Sequence, residues 1–328
     1  MFDVHAHIQN FDSLDAVKEL IENHAITGLC LMGTCYSDLD KVRQLAIEYP
    51  KKVIPAFGIH PYFAYEVPAP PSSTGIDEVF RSKQSCEYFT NSIPRDFESK
   101  LLAYLNEFPE SVVGEIGLDK VAVDRRTGKV FDFGVQKDVF DAQFRIASQL
   151  NKPVSLHCVK AHQDMYDYLR CRLSELEACT VHANDTIIAT SNSLLSGSLD
   201  SLKSASKSRS KSIKRVLDLT FHFPSKIMLH SYSGSTELAK RFLKLPYGLG
   251  DRIYFSFSQF VNMRSSKLGD TLLVIPRNRI LLESDMEDPR NVYSSLLTVH
   301  KWACEKLCIT EEEMLKISLQ NSADFFSK

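Results

Sequence analysis

Residues 2–7 read Phe2-Asp3-Val4-His5-Ala6-His7, an apolar run interrupted by two histidines two positions apart. On a β-strand, residues i and i+2 point to the same face, so the imidazoles of His5 and His7 can reach one point in space. Imidazole is the commonest metal ligand among side chains. The pair therefore predicts half of a metal site at the end of a first strand. Taken alone, two surface histidines are the alternative.

Apolar runs of this kind recur along the chain, with stretches of helical periodicity between them. The predicted strands are 2–5, 28–32, 53–57, 112–115, 154–157, 226–229, 253–255 and 280–283. The predicted helices are 14–23, 39–49, 97–108, 136–150, 163–173, 236–243 and 291–304. Eight strands alternating with helices predict an α/β fold, a (β/α)8 TIM barrel forming a single domain over residues 1–328. A doubly wound sheet is the alternative, disfavoured because no Gly-x-Gly-x-x-Gly follows the first strand.

The composition of the 328-residue chain is that of an ordinary globular protein, with 44% hydrophobic and 24% charged residues. The net charge of -2 argues against a chain-wide grip on polyanions, so any nucleic-acid binding is expected to be local. No stretch reaches the roughly eighteen apolar residues of a membrane span, and no signal or transit peptide is recognisable. Eight scattered cysteines without CxxC spacing are expected to stay reduced. We therefore expect a cytoplasmic protein that does not bind membranes.

Two segments are expected to lie outside a minimal barrel. Residues 65–94 contain a Pro-Ala-Pro-Pro-Ser-Ser-Thr-Gly stretch and are predicted to be a loop insertion. Residues 180–215 are predicted to be a flexible insertion because 191–212 is rich in serine and basic residues and poor in apolar ones. One interpretation is a solvated loop without a role. The other is a docking segment for a protein partner, or a basic nuclear-targeting stretch that adds a nuclear location.

Polar residues with metal-binding chemistry fall at the ends of the predicted strands. In a barrel, the carboxyl ends of all the strands form one rim, where active sites are built. The residues expected to converge there are His5, His7, His60, Glu115, His157, His230 and Asp285. Any one of them alone fits a buried core residue or a helix cap. Seven at the same end of the strands are hard to attribute to packing, because unpaired buried acids and imidazoles are costly.

This set contains too many ligands for one tetrahedral zinc ion. It suits two divalent ions, one held by His5, His7 and Asp285 and the other by His157 and His230, with Glu115 between them. Two metals about 3.5–4 Å apart can activate water and clamp the oxygens of a phosphoryl or carbonyl group. Nitrogen-rich ligation favours zinc or manganese, and magnesium is a third candidate where water completes the coordination.

The chain resembles the TatD family of metal-dependent deoxyribonucleases, a branch of the amidohydrolase-like barrels. The motifs that carry the resemblance occur in order along the whole barrel and exclude the two insertions: Asp3-Val-His5-Ala-His7, Gly58-Ile-His60-Pro61, Gly114-Glu115-Ile-Gly117-Leu-Asp119, Pro153-Val-Ser-Leu-His157, His230-Ser-Tyr-Ser-Gly234 and Glu283-Ser-Asp285. The resemblance implies that His5, His7, Glu115, His157, His230 and Asp285 occupy the family's metal-ligand positions. It also implies that His60 is the family's site histidine, in contact with substrate phosphate.

The sequence departs from the family pattern near the substrate. The family usually has Ser-Arg-Asp-Ala after the histidine of strand five, whereas Cys158-Val159-Lys160-Ala161 stands here. Val159 stands at the position of the family's arginine, and substitution by the neighbouring Lys160 is an open alternative, since lysine lacks the bidentate fork of arginine. Lys120 follows Gly-Leu-Asp where the family often has an aromatic residue. These departures concern substrate affinity rather than the metal ligands.

Taken together, these features predict a two-metal hydrolase of phosphodiesters, most specifically a deoxyribonuclease that acts on DNA ends or short oligonucleotides. Its predicted catalytic residues are Asp285 as proton acceptor, Glu115 as bridging ligand and His60 as phosphate contact. The substrate class follows from the resemblance, because the same rim could hydrolyse an amide or ester of a small molecule. The other alternative is a non-enzymatic interaction scaffold that recruits a partner through the 180–215 insertion.

Overall fold

Eight parallel strands form the centre of the computed structural model, which describes residues 1–66, 97–124, 128–194, 218–264 and 266–327. The strands are β1 (Phe2–Ala6), β2 (Gly28–Met32), β3 (Val53–Phe57), β4 (Val112–Asp119), β5 (Val154–Val159), β6 (Ile227–Leu229), β7 (Ile253–Phe257) and β8 (Ile280–Leu282). Each strand pairs in parallel with the next one in the sequence. The predicted TIM barrel is confirmed.

The first and last strands meet through backbone hydrogen bonds just beyond the end of β8. The N–H of Asp285 donates to the carbonyl of His5 at 3.0 Å, and the N–H of His7 donates to the carbonyl of Met286 at 2.8 Å. The carboxylate of Asp3 accepts the N–H of Ser284 at 2.9 Å. The barrel is therefore joined at the rim where the predicted ligands stand.

Helices surround this barrel in the described part of the chain. They are α1 (Leu14–Glu22), α2 (Leu39–Glu48), α3 (Phe97–Glu107), α4 (Phe133–Gln149), α5 (His162–Leu194), α6 (Thr236–Leu243), α7 (Gln259–Asn262), α8 (Ser266–Val274), α9 (Pro289–Leu307) and α10 (Glu311–Phe326). Helices α7, α8 and α10 were not predicted. The first two are short, and the Gln-Asn-Ser stretch in α10 weakens its helical signal, because such residues also favour turns.

Two groups of buried side chains hold the fold together. The larger group packs the outer faces of the strands against the helices. The smaller lies inside the barrel and includes Val4, Met32, Ala56, Met228 and Leu281 from five strands. Phe325 and Phe326, at the end of α10, pack into this inner group, so the last helix closes the end of the barrel opposite the rim where the predicted ligands stand.

The two predicted insertions are only partly within the described residues. Residues 61–66 form a short 3-10 helix (Pro61–Glu66), and the rest of the 65–94 segment is outside them. Helix α5 runs to Leu194, so the first part of the 180–215 segment is helical. This helix is longer than predicted because residues 162–194 contain neither proline nor glycine to end it. The rest of that segment, 195–215, is outside the described residues.

Two further features of the described residues concern the cysteines and the lengths of the helices. The seven cysteines among them are free, and Cys86 is outside the described part of the chain. None of the described helices has the length and apolar character needed to cross a bilayer.

Candidate metal centre

The carboxylate of Glu115 lies at the centre of a cluster of histidines at the mouth of the barrel. Its Oε2 is 3.3 Å from Nε2 of His5 and 3.2 Å from Nε2 of His7. Its Oε1 is 2.7 Å from Nδ1 of His157 and 2.9 Å from Nε2 of His230. The two oxygens of one buried carboxylate therefore face two separate pairs of imidazoles.

The first pair is joined by a second carboxylate. Oδ1 of Asp285 is 3.6 Å from Nε2 of His7 and 3.8 Å from Nε2 of His5. The two Nε2 atoms are themselves 3.0 Å apart. Two imidazole nitrogens and two carboxylate oxygens thus surround one point, in the arrangement predicted for one metal position.

The outer nitrogens of this pair indicate which inner atoms carry lone pairs. Nδ1 of His7 is 3.2 Å from the carbonyl of Met32, which can only accept, so Nδ1 carries the proton. Neutral His7 therefore directs an Nε2 lone pair at Glu115. Nδ1 of His5 is likewise 3.0 Å from the hydroxyl of Ser155. Metal-binding histidines characteristically donate their other N–H to an outer acceptor in this way.

The second pair follows the same rule with carboxylates as the outer partners. Nε2 of His157 is 3.2 Å from Oδ2 of Asp119, and Nδ1 of His230 is 3.2 Å from Oε1 of Glu283. Each histidine therefore donates outwards and directs its other nitrogen at Oε1 of Glu115. These two inner nitrogens are 3.4 Å apart, as expected for ligands of one ion.

His60 is oriented in the opposite sense. Its Nδ1 accepts the backbone N–H of Tyr62 at 3.1 Å, so neutral His60 carries its proton on Nε2. That Nε2 is 3.5 Å from Oε1 of Glu115. Burial lowers the pKa of His60 well below its usual value and keeps the ring neutral. His60 therefore presents a hydrogen-bond donor to the cluster, whereas His7, His157 and His230 in their neutral forms present acceptors.

The charges in this cluster are strongly coupled. Burial opposes ionisation of Glu115, but the charge of His230 and a hydrogen bond from His157 are among the effects that outweigh it and hold its pKa well below the usual range. Burial also opposes protonation of His7, yet hydrogen bonds to Asp285 and Glu115 raise its pKa to about 10. Without a metal, these carboxylates depend on protonated histidines for charge balance. Divalent cations supply the same balance with neutral histidines, so the donor set fits metal ions.

The cluster opens to solvent on one side. The side chains of Asp285, His7 and His157 are 24%, 14% and 13% exposed, whereas that of Glu115 is 3% exposed. Asp285 adopts a left-handed backbone conformation with φ 56° that L residues disfavour. Its N–H bond to His5 holds this conformation and places the carboxylate at the open side. Solvent can therefore reach the carboxylate of Asp285 directly.

The backbone at Gly117, the second glycine of the Gly-Glu-Ile-Gly-Leu-Asp motif, can be formed only by glycine. Its φ is 151°, and a Cβ atom there would lie 2.0 Å from the carbonyl oxygen of His157. Only glycine lets β4 approach β5 this closely. That approach brings Asp119 of β4 within hydrogen-bonding distance of His157.

All seven residues predicted at the rim are brought together by the structure, but several of their partners were not recognised in the sequence. Asp119 and Glu283 were noted only as parts of motifs, and Ser155 and Tyr62 had no assigned role. For Glu283 a signal was available, because a second acid two residues before Asp285 is an obvious partner for a neighbouring histidine. For Ser155 no sequence signal distinguishes it from an ordinary strand residue.

Comparison with known proteins gives this arrangement a family. Residues 2–327 match the model of the family described as TatD related DNase. The chain belongs to the TatD-related DNase family. It is accordingly a metal-dependent hydrolase of the nuclease type, and the resemblance in the sequence motifs is confirmed.

Three curated relatives illustrate the family's range. The Cut9-interacting protein scn1 of Schizosaccharomyces pombe is 30% identical over 87% of this chain and 86% of its own length. An uncharacterised deoxyribonuclease of Saccharomyces cerevisiae is 26% identical over 82% of this chain and 79% of its own. The 3'-5' ssDNA/RNA exonuclease TatD of Erwinia tasmaniensis is 26% identical over 56% of this chain and 59% of its own.

Among solved structures, the TatD homologue YJJV of Escherichia coli has the same fold. The TM-score is 0.65 at 18% sequence identity, over 99% of this chain and 97% of the bacterial one. This likeness extends over the barrel and supports the architecture described above.

Proposed function

We propose that this TatD-family protein is a deoxyribonuclease that uses two divalent metal ions to hydrolyse phosphodiester bonds at the ends of single-stranded DNA. The observation that carries the proposal is the position of Glu115, whose two oxygens face two separate pairs of histidines. A carboxylate placed in this way suits a ligand shared by two ions. The name of the Erwinia relative, a 3'-5' ssDNA/RNA exonuclease, supports the choice of single strands.

The proposed ligands divide into two sets around Glu115. His5, His7 and Asp285 would hold one ion, and His157 and His230 the other. Imidazole-rich sets favour zinc or manganese, with magnesium as the third candidate. Bound ions of this kind lower the pKa of water and neutralise charge on phosphate oxygens.

Two side chains of the protein itself are assigned to the chemistry. Asp285 has the most exposed of the carboxylates near the cluster. Burial acts to raise its pKa, but hydrogen bonding to His7 and the neighbouring histidines outweigh burial and hold the pKa below the usual range. Asp285 is therefore ionised and placed to accept the proton of the attacking water. His60 presents Nε2–H to the same space and would donate a hydrogen bond to a phosphate oxygen, where negative charge develops.

The overall charge of the chain favours binding of a few nucleotides over binding along an extended DNA duplex. A net charge of -2 does not provide the basic groove that grips many phosphates in succession. The metal positions supply the local positive charge instead. A free strand end enters such a mouth more easily than the interior of a duplex.

The test is hydrolysis of labelled oligonucleotides by purified protein supplied with manganese, magnesium or zinc. We expect single-stranded oligonucleotides to be shortened from one end, more rapidly than blunt duplexes of the same sequence. Excess chelator should abolish the activity, and metal added back should restore it. Elemental analysis should find two ions per chain.

The same preparation tests the small-molecule alternative with a panel of lactones and amides. Turnover of one of these compounds, with no oligonucleotide shortened under any of the three metals, would refute the nuclease assignment. A single ion per chain in active protein would refute the bridging role of Glu115.

A protein partner is a separate proposal. It rests on the basic residues of the 180–215 segment and on the name of the fission yeast relative, which is called Cut9-interacting. Capture of the same proteins by the full chain and by a chain lacking 195–212 would refute a docking role for this segment, and an unchanged nuclear fraction would refute a targeting role.

A further inference from the structure

Tyr62 combines solvent exposure with direct contact to the candidate metal centre. It follows His60 and Pro61 in the short 3-10 helix after β3, and 37% of its surface is exposed. Its ring packs edge-on against His60, with centroids 4.6 Å apart and planes at 89°. The ring centroid of His157 is 6.2 Å away. An exposed aromatic ring therefore stands at the lip of the mouth, beside two histidines of the cluster.

Tyr62 is held by one hydrogen bond from its backbone and another from its side chain. The backbone N–H of Tyr62 donates to Nδ1 of His60 at 3.1 Å. Burial opposes ionisation of Asp119, but hydrogen bonds from His157, the N–H of Val121 and Tyr62 outweigh it and lower the pKa of Asp119. The Tyr62 side chain is thus anchored to a buried carboxylate. An anchored ring loses little conformational entropy when a flat ligand group packs on it.

A bound ligand could cover the exposed ring of Tyr62. The neighbouring cluster of histidines and carboxylates indicates the chemical class of that ligand. A phosphodiester bound at the cluster brings its own nucleobase within reach of the lip. Every base has a π face, and stacking on aromatic residues is how proteins without a sequence preference hold single strands. With a net charge of -2, the protein lacks a large excess of basic residues that could bind many phosphates. Stacking on an aromatic ring would therefore add to the affinity for a single strand.

We propose that Tyr62 is a substrate-binding residue that stacks on the nucleobase adjoining the scissile phosphate of a single-stranded end. This inference rests on the proposed nuclease function and adds a determinant of substrate choice to it. A base must be unpaired and unstacked to receive the ring, so Tyr62 favours single strands and frayed ends over closed duplex. It is expected to tolerate all four bases.

The test distinguishes the contribution of the Tyr62 ring from that of its hydroxyl group. It also distinguishes the contribution of the nucleobase from that of the phosphate. Tyr62→Phe keeps the ring and removes the hydrogen bond to Asp119, whereas Tyr62→Leu removes both. Each variant is assayed on an oligonucleotide and on the same oligonucleotide with an abasic residue next to the scissile phosphate. We expect Tyr62→Leu to raise KM for the intact oligonucleotide roughly tenfold with a smaller effect on kcat. Tyr62→Phe keeps the stacking surface but loses the bond that anchors it, so its KM should lie between those of the unmodified protein and Tyr62→Leu.

The abasic substrate completes the cycle. With no base to stack, the unmodified protein and Tyr62→Leu should have similar KM values for it. Tyr247→Leu is the matched control, because Tyr247 is also 37% exposed but precedes β7 and so lies towards the opposite end of the barrel. It should leave KM unchanged for both substrates.

A binding measurement gives a readout independent of turnover. In an Asp285→Asn background, an oligonucleotide with terminal 2-aminopurine should lose fluorescence on binding, and Tyr62→Leu should reduce this quenching. Equal KM increases on intact and abasic substrates would overturn stacking, as would a Tyr62→Phe variant as impaired as Tyr62→Leu. A metal-loaded protein that neither cleaves nor binds any oligonucleotide would instead refute the nuclease function itself.

Discussion

Nε2 of His157 lies 3.2 Å from the carboxylate of Asp119, and this contact determines which nitrogen His157 presents to the candidate metal centre. Asp119 is 1% exposed and ionised, since its pKa is lowered, so it can only accept. His157 must therefore carry a proton on Nε2. Its Nδ1, 2.7 Å from Oε1 of Glu115, is protonated towards that oxygen when no metal is bound, and it is the nitrogen left with a lone pair in the neutral ring that a metal requires.

Asp119→Asn tests this orienting role. The amide keeps the shape of the side chain but removes the charge that fixes the His157 tautomer. We therefore expect the ion at His157 and His230 to bind about 10- to 100-fold more weakly, which is the usual effect of losing the hydrogen-bond partner of a metal ligand. The ion at His5 and His7 should keep its affinity. Calorimetric titration resolves the two events. Asp251→Asn, which replaces an exposed acid just before β7, is the control. Two unchanged affinities would show that Asp119 does not orient His157.

Asp285→Asn tests the proton acceptor. The amide cannot accept a proton at neutral pH, so we expect kcat to fall by about 100-fold or more, within the usual range for general base catalysis. The left-handed backbone should be retained, because asparagine tolerates positive φ. Elemental analysis and thermal unfolding check that metal and fold persist. Near-normal turnover by a metal-loaded Asn variant would assign proton transfer to another group.

Most of the barrel could be predicted because its strands are short, apolar and evenly spaced. The predicted strand 28–32 coincides with β2, and 53–57 coincides with β3. Helix α10 was missed because its polar positions obscured the periodicity. Its role depends on Phe325 and Phe326 reaching the inside of the barrel, a contact between residues far apart in the chain. Local patterns carry no information about such a contact.

The site could be predicted as a set of residues but not as a geometry. Strand ends brought His5 and Asp285 together in the prediction, because parallel strands share one rim. The direction of each imidazole could not be predicted, since it depends on outer partners such as Met32 and Glu283. His60 shows the consequence: the same residue type at the same rim presents a donor rather than a lone pair.

Metal removal should destabilise the protein. A ligand that binds only the folded state adds about 2.7 kcal/mol to the free energy of unfolding at 100 times its Kd. Chelation should therefore lower Tm by several degrees, and the added metal should restore it. Glu115→Gln removes the shared negative charge, so the metal-dependent part of the Tm shift should shrink. Differential scanning calorimetry with and without chelator measures both. An equal shift in the two proteins would exclude Glu115 as a ligand.

Deleting 195–212 should leave the barrel intact. Helix α5 ends at Leu194 and β6 begins at Ile227, and the proposed ligands His157 and His230 stand on separate strand ends. Shortening a connection changes its closure entropy by only about 0.6 kcal/mol for each halving. The expected Tm and metal content are those of the full chain, measured by calorimetry and elemental analysis. Loss of soluble protein or of one metal on deletion would show that this segment supports the fold.

His162 should make stability depend on pH below neutrality. Burial, with smaller effects of His157 and Lys160, lowers its pKa to about 4 in the folded state, against about 6.5 in the unfolded chain. Between these values the unfolded chain binds the proton and the folded one does not. The free energy of unfolding is therefore unaffected above pH 6.5 and falls as the pH drops towards 4.

His162→Phe removes this titration and keeps an aromatic ring against Tyr232, whose centroid is 5.1 Å away. The Nε2 atom of His162 has no hydrogen-bond partner among the described residues, so an apolar ring loses no bond there. From pH 7.5 to pH 5.0, the unmodified protein should lose about 2 kcal/mol more than the variant, as 1.5 units at about 1.36 kcal/mol each. Urea unfolding in chelator at both pH values measures this difference without a metal contribution. Parallel losses in the two proteins would mean that His162 is protonated equally in the folded and unfolded states.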